Sequence, residues 1–505
     1  MKKTTLSFAL SLSLATVFTG CAVSNSAMNS TDENIKKINL TKIASYETSL
    51  KGGSEIVAYD TLSNKMFTTN GALNKIDITQ IIYDKNSQNT NILKIGAIDL
   101  SSYGDGVNSV AVSKGMVAVA VEVTSQFDKS KQLRGSVVLF DTKGNHIKTV
   151  KAGYLPDMVT FNEDASKIIV ANEGEPNKNY RYDPKGSIGI IDIQNAYTYT
   201  DLNFFDIEVP KDVIIKKGSH AGVDLEPEYI TVSGNKAYVS LQENNAMAIV
   251  DLKNNKLESL VALGFKDHSK VENSIDIEEE GKILLKPYKN LYGMYQPDSI
   301  ASYKVNGKTF VVTANEGDGR EYGKYENESK ISKLKLSPAL IEVYKSENDL
   351  KINNELGQNN GVYEKLYTFG TRSFSIWNDK SELVFDSKNE LARLASSYEP
   401  ELFNQDKGKK DKRSGNKGVE PEALTVGEVN GKTYAFIGLE RQSAIVVYDI
   451  TTPSKAKFVK YLNTKNKDIS PEGMKFVKAE NSPTKKPLLL VAFEISGSTS
   501  VFEIN

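Results

Sequence analysis

The segment LPDMVTF (155–161), with IIVANEG (168–174) close behind it, sets the reading of the whole chain. It runs proline, carboxylate, alternating strand, hairpin, second strand, and a further carboxylate where that strand stops. The pattern returns as EPEYITV (226–232) with YVSLQEN (238–244), and as QPDSIAS (296–302) with VVTANEG (311–317). It returns again as EPEALTV (420–426) with AFIGLER (435–441), and as SPEGMKF (470–476) with LLVAFEI (489–495). Five of the 14 prolines fall at this one position, so the recurrence is a repeat and not an accident of composition. Period-two alternation of β-branched and aromatic residues marks the flanking segments as strands.

Each copy extends to a third strand: SIGIIDI (187–193), AMAIVDL (246–252), SFSIWND (373–379), AIVVYDI (444–450) and TSVFEI (499–504). Two weaker copies come first. GVNSVAV (106–112) leads to MVAVAVEV (116–123) and SVVLFDT (136–142), and SEIVAYD (54–60) leads to KMFTTNG (65–71) and NKIDIT (74–79). Most units add a fourth strand, such as ILKIGAIDL (92–100). Seven tandem four-stranded antiparallel units predict an all-β fold, a seven-bladed β-propeller, in one domain over 37–505. The last unit runs out after its third strand, and INLTKIASY (38–46) precedes the first unit unclaimed. Pairing the two supplies the missing outer strand, closes the ring and removes an exposed edge.

The 485 residues after position 20 give about 69 per unit, more than the roughly 40–50 of common propeller repeats. Loop and helix insertions at about 253–294, 323–368 and 386–419 account for the excess. The second is expected to hold a short helix near 338–350. The third is expected to hold a helix at 389–398, then the basic tract DKGKKDKRSGNKG (406–418).

Composition is that of an ordinary globular protein, with 505 residues, 39% hydrophobic and 25% charged. Sixty-three basic residues against 64 acidic ones leave no excess to attract nucleic acid. No G-x-S-x-G elbow, H-E-x-x-H, P-loop or EF-hand occurs. Lys2, Lys3 and the apolar run from Leu6 to Phe18 predict a signal peptide over 1–20. The run ends at Cys21, the only cysteine, in a sequence that resembles a bacterial lipobox with Phe18 where leucine is usual. The expected mature chain starts at a lipidated Cys21 and continues as a flexible tether over 21–36. This predicts a membrane anchor at Cys21 and an extracytoplasmic place in the cell envelope. The alternative is an ordinary signal peptide with a coincidental cysteine. Either way no disulfide is available to the rest of the chain.

Strands alternate in direction, so the start of the first strand and the end of the second share one face of the ring. That face should carry Asp157, Glu228, Asp298, Glu422 and Glu472, with Glu122, Glu173, Glu243, Glu316, Glu440 and Glu494 beside them and Glu226 and Glu420 added. So many carboxylates must be protonated, paired with cations, or neutralised by metal. Oxygen donors suit calcium or magnesium, and three histidines are too few for a histidine-rich zinc site. The expected metal ligands are Asp157, Glu173, Glu228, Glu243, Asp298, Glu316, Glu422, Glu440, Glu472 and Glu494. Carboxylates at such turns also serve simply by accepting backbone N–H bonds. Arg320, Arg372 and Arg441 follow or face the motif, as ion-pair partners of the acids or as holders of a phosphate or carboxylate ligand. The tract Lys407–Lys417 enters from the same face, as a solvated loop or as a lid. His220 with Asp224, and Asp267 with His268, read as polar loop residues.

Several strings resemble one family: DLSSYGDGVNSVAV (99–112), ANEGEPN (171–177), GVDLEPEYI (222–230), LGFKDHS (263–269), GMYQPDSIASY (293–303), TANEGDGREY (313–322), RSFSIW (372–377), LVFDS (383–387), GVEPEALTVG (418–427) and SPEGM (470–474). These look like the choice-of-anchor I proteins, and the resemblance runs over roughly 40–505. It implies an exported, surface-anchored propeller related to mesenchyme-specific cell-surface glycoproteins of biomineralising animals. That relationship makes calcium the expected ion. Some bacterial members carry an alkaline-phosphatase label, and no catalytic residue set carries over. The leading expectation is therefore a lipid-anchored monomeric propeller whose acidic face binds divalent cation and, through it, an extracytoplasmic ligand or partner. The rival is a metal-dependent phosphoesterase, and the third option a metal-free interaction scaffold.

Overall fold

Seven four-stranded antiparallel sheets follow one another along the chain in a computed structural model that describes residues 38–345 and 349–505. Cys21, the expected signal peptide and the tether lie outside the described residues. The innermost strands are Val57–Asp60, Gly106–Ser113, Pro156–Phe161, Ile230–Ser233, Ile300–Val305, Pro421–Val429 and Pro471–Val477. Each packs against the next, and the last packs against the first. The fold is the expected seven-bladed propeller, numbered here as blades 1 to 7 in that order.

Burial explains the sequence pattern within a blade. The two middle strands are covered on both faces by neighbouring blades, so Lys236–Leu241 and Ala246–Asp251 of blade 4 are almost wholly buried. They read as continuous small and apolar runs (AYVSL, AMAIV). The outermost strand, Lys256–Ala262, has one wet face and alternates. The stretch from 253 expected to be an insertion thus begins with a blade strand, and the insertion starts at 263.

Each pair of adjacent blades has its own apolar interface. Phe67, Val119 and Phe140 join blades 1 and 2, and Val137, Ile168 and Val170 join blades 2 and 3. Blades 3 and 4 meet at Ile190, Val239 and Val250, and blades 4 and 5 at Met247, Val311 and Trp377. Phe374, Ile437 and Tyr448 join blades 5 and 6, Phe436, Val447 and Phe493 join 6 and 7, and Met66, Leu490 and Val501 join 7 and 1. Burying one such side chain stabilises by about 1.5–3 kcal/mol.

Leu40–Glu47 pairs antiparallel with Ser498–Ile504, from Leu40 opposite Ile504 to Glu47 opposite Ser498. The N-terminal strand thereby completes blade 7 and closes the ring. Lys42 Nζ lies 2.8 Å from Asp468 Oδ2. Asp468 Oδ1 also accepts from Ser498 Oγ at 2.9 Å and Ser500 Oγ at 3.0 Å. The clasp is thus a hydrogen-bonded charge as well as a strand pair.

The insertions fold together. Leu291–Met294, from the segment between blades 4 and 5, pairs antiparallel with Phe265–Asp267 and parallel with Leu366–Thr368, from the long excursion inside blade 5. A separate core of Ile277, Leu291, Leu340, Tyr344, Ile352 and Leu366 lies beneath. Its helix Pro338–Tyr344 starts with proline at the first position, and Ser337 Oγ accepts from Leu340 N at 3.4 Å. It is shorter than the span expected near 338–350. The helix of the third insertion is Glu390–Tyr398.

Candidate metal centre

The repeated proline–carboxylate pair marks a β-bulge. In blades 3, 6 and 7 the pairing register shifts after Pro156, Pro421 and Pro471. Proline supplies no N–H to the ladder, and a bulge residue is released from regular pairing and re-aimed. The bulge residues here are Asp157, Glu422 and Glu472. Glu228 and Asp298 hold the same place, donating their backbone N–H to Ser240 O at 3.0 Å and Ala314 O at 3.1 Å. The same register puts Glu55 there in blade 1, its N–H 3.4 Å from Thr69 O. Blade 2 carries Asn108, after a register shift at Val107. Glu55 does not stand out in the sequence because its motif has Ser54 where five of the other blades have proline.

The second set of acids is fixed by a different backbone device. Leu155, Glu420 and Ser470, each directly before the motif proline, adopt left-handed φ values of 44°, 49° and 66°. Their carbonyls accept the backbone N–H of Glu173, Glu440 and Glu494, each at 2.9 Å. Non-glycine residues hold such conformations only where surrounding structure enforces them. In blade 4 the pairing of Leu241 with Ala246 puts Gln242 in the slot that Glu173, Glu316 and Glu440 occupy elsewhere. Glu243 stands one residue later, a shift that counting from the motif did not reveal.

These devices bring most of the expected ligands together. Carboxylate oxygens of Glu173, Glu228 and Glu243 lie within 4.8 Å of one another, as do those of Asp298, Glu316 and Glu422, and of Glu316, Glu420 and Glu440. Gln242 links the first group to the second by donating Nε2 to Glu316 Oε2 at 3.3 Å. Glu122 stands close enough to Asp157 to raise its proton affinity, and Asp157 and Glu122 together raise that of Glu175. Glu472 and Glu494 fall in the blade 7 sector, where Lys51 approaches Glu494 at 3.6 Å.

The two sides of the mouth differ in charge. On the blade 5–6 side, Lys417 Nζ lies 2.6 Å from Glu316 Oε1 and 3.4 Å from Asp318 Oδ1. Arg413 and Arg441 bind Glu420 at 2.9 Å, and Arg441 reaches Glu440 at 3.1 Å. The basic tract thus sends Arg413 and Lys417 into the mouth, while Lys412 stays exposed. On the blade 3–4 side, no basic side chain among the described residues pairs with Asp157, Glu173, Glu175, Glu228 or Glu243. Glu243 is only 7% exposed, yet its Oε2 has no hydrogen-bond partner, and neither has Oε2 of Glu228.

Electrostatics follow from this. Burial, then neighbouring carboxylates, pushes Asp157 and Glu175 up to about 7 and holds Glu173 and Glu228 well above the usual carboxylate range. Burial and Glu420 push Glu440 up to about 8. Burial alone would raise Glu420, but Lys417, Arg413 and Arg441 outweigh it and hold the group below its ordinary value. Buried carboxylates with raised proton affinity and an unpartnered oxygen fit a hard cation, which would replace the protons and satisfy the oxygen. The donors are all oxygen, as calcium or magnesium requires.

The arginines are engaged. Arg320, fully buried, donates to Asp224 Oδ2 at 2.7 Å and to Glu226 Oε2 at 3.0 Å. Arg372 does not reach the acids; it donates to the carbonyls of Asp276, Ser414 and Asn416 and ties the insertions together. His268 is buried with Nδ1 against Asn273 O at 2.8 Å, and burial depresses it to about 3. His220 caps the short helix Ala221–Asp224. Asp267 accepts from Ser269 N at 2.9 Å within its own loop. After Arg320 the blade 5 insertion crosses to blade 3, where Lys324 N donates to Lys178 O at 3.2 Å. Tyr322, on this strap, has its hydroxyl proton held by burial and by Glu226, Glu175 and Glu243.

Residues 55–453 match the Choice-of-anchor I domain family. Gigasin-3a of Magallana gigas is 29% identical over 170 residues, 28% of this chain and 59% of the relative. The mesenchyme-specific cell surface glycoprotein of Strongylocentrotus purpuratus is 25% identical over 317 residues, 50% of this chain and 41% of the relative. The matches thus span 59% and 41% of these curated relatives. Among solved structures, Kuenenia stuttgartiensis hydrazine synthase aligns with a TM-score of 0.47 and 12% identity over 91% of this chain and 97% of that one. The WD40 domain of Toxoplasma gondii coronin aligns at 0.45 and 9% over 93% and 86%.

Proposed function

The chain belongs to the choice-of-anchor I family, and on that premise we propose that it is a cell-surface propeller whose mouth binds a divalent cation, calcium first. The carrying observation is the buried, unpartnered Oε2 of Glu243 beside Glu173 and Glu228, three carboxylates with no ion pair among the described residues. Glu173, Glu228 and Glu243 would hold the ion, with Asp157 and Glu175 at its flank. The bound ion would supply positive charge where five carboxylates crowd and present a site for an oxygen-bearing ligand or partner. A surface location is supported by the name of the sea-urchin relative, and anchoring through Cys21 belongs to the same proposal. The phosphoesterase reading puts phosphate on Arg320, Arg372 or Arg441, and each of these already binds protein groups.

Thermal unfolding of residues 22–505 with EDTA and then with calcium or magnesium tests the cation. A ligand at 100 times its Kd adds about 2.7 kcal/mol to stability, so the melting midpoint should rise with calcium. Glu228→Gln and Glu243→Gln should each abolish the rise. A midpoint indifferent to calcium in the unsubstituted protein would sink the proposal.

A further inference from the structure

Beside the mouth, three loops meet at a corner of aromatic faces. Tyr180 comes from the loop between the second and third strands of blade 3, Lys216 from the connection between blades 3 and 4, and Tyr322 and Tyr325 from the blade 5 strap. The Tyr180 and Tyr325 rings lie 5.4 Å apart at 69°, and Tyr322 backs Tyr180 at 6.0 Å and 59°. Lys216 Nζ stands in the corner, 4.5 Å from the Tyr180 centroid and 4.9 Å from that of Tyr325. Tyr180 holds a left-handed φ of 55°, uncommon for a bulky residue.

The ammonium of Lys216 makes no hydrogen bond or ion pair among the described residues; only its backbone N–H is used, donating to Asp224 Oδ2 at 2.8 Å. The corner therefore meets the ammonium with π faces, and the acceptors around it, the unpartnered hydroxyls of Tyr180 and Tyr325 among them, take no hydrogen bond from it. A primary ammonium carries three N–H donors that such a site leaves to water. A quaternary ammonium carries the same charge, no donors, and methyl groups that fill the angle between two rings. Asp183, half-buried nearby, adds a negative charge that acts on the same cation.

We propose that the Tyr180–Tyr322–Tyr325 corner is a binding site for a quaternary-ammonium group of the choline type, which Lys216 fills in cis until the ligand displaces it. The site borders the mouth carboxylates through Tyr322 and has Glu321, Glu326 and Glu328 on the same strap, but it uses ring faces and does not rest on a bound cation. Tyr322 and Tyr325 belong to that strap, so an occupied corner would also hold the strap down over the mouth.

Calorimetric titration of the full chain with choline chloride tests this, with ammonium chloride at equal ionic strength as control. Lys216→Met removes the plug and keeps its stem, and should bind choline at least ten-fold more tightly than the unsubstituted protein. Adding Tyr180→Leu should remove the binding. Should Lys216→Met not fold by its thermal transition, Lys216→Gln is read in the same way. Co-sedimentation with phosphatidylcholine vesicles but not phosphatidylethanolamine vesicles would assign the group to a lipid headgroup; soluble choline binding without it would assign a free ligand. If both Lys216 variants bind choline no better than the unsubstituted protein, or bind it equally without Tyr180, the corner is a structural clasp and the proposal falls.

Discussion

The Nζ of Lys417 lies 2.6 Å from Oε1 of Glu316, 101 residues earlier in the chain. One side of the mouth thus has a counter-ion on its carboxylate cluster, whereas on the other side Arg320 pairs with Asp224 and Glu226 and leaves Glu173, Glu228 and Glu243 without an ion pair among the described residues. Lys417→Met should destabilise the protein by about 3–5 kcal/mol in EDTA, the usual effect of stranding a buried charge. Calcium should restore part of that loss, because Asp298, Glu316 and Glu422 are then as bare as Glu173, Glu228 and Glu243. Denaturant unfolding with and without calcium reads this directly. If calcium stabilises the variant no more than the unsubstituted protein, Lys417 is not standing where a cation would.

Arg320 ties the strap to Asp224 and Glu226 from a fully buried position. Arg320→Leu should cost about 3–5 kcal/mol by leaving two carboxylates unpaired. Arg320→Lys should recover only a fraction, since an ammonium cannot span both acids as the planar fork does. Urea midpoints for the two variants decide it, and equal midpoints would show that charge alone is enough.

Stability should depend on pH in a direction opposite to that of most acidic proteins. Glu55, Asp157 and Glu175 are raised to about 7 and Glu440 to about 8, chiefly by burial. In the unfolded chain such groups titrate near 4. Folding therefore takes up protons, and this contribution is full below about pH 4, fades as the pH climbs, and is gone above about pH 8. In EDTA the melting midpoint at pH 8 should lie below that at pH 5.5 by about 5 °C. Calcium should narrow the gap. A higher midpoint at pH 8 in EDTA would contradict the raised proton affinities.

Asp468 is 2% exposed and joins Lys42, Ser498 and Ser500 at the ring closure. Asp468→Ala should lose about 2–4 kcal/mol, and Lys42→Ala, with a partly exposed side chain, about 1 kcal/mol or less. Hydrogen exchange at residues 40–47 should quicken more in the first variant than in the second. Equal exchange in both would place the clasp in the strand pairing alone.

The blades were legible because a proline beside a bulge leaves a fixed mark in a strand, and because middle strands covered on both faces read as unbroken small and apolar runs. Glu55 was not, since Ser54 takes the proline's place and removes the mark. Glu243 was misregistered by one residue because the turn after Leu241 takes Gln242 first, and only the pairing with Ala246 shows it. The charge difference across the mouth was hidden for another reason. It depends on where a basic tract inside an insertion comes to rest, and a contact between residues 316 and 417 has no local signature.

The closing strand has a mechanical consequence. Any tether joined before residue 38 enters the propeller through Leu40–Glu47, the outermost strand of blade 7. Tension on such a tether would be borne first by the pairing with Ser498–Ile504 and by the Lys42–Asp468 bond. These few hydrogen bonds would keep the ring shut under load, so a pull strong enough to strip that strand would leave blade 7 with three strands and a bare edge while the chain itself stayed joined to the tether.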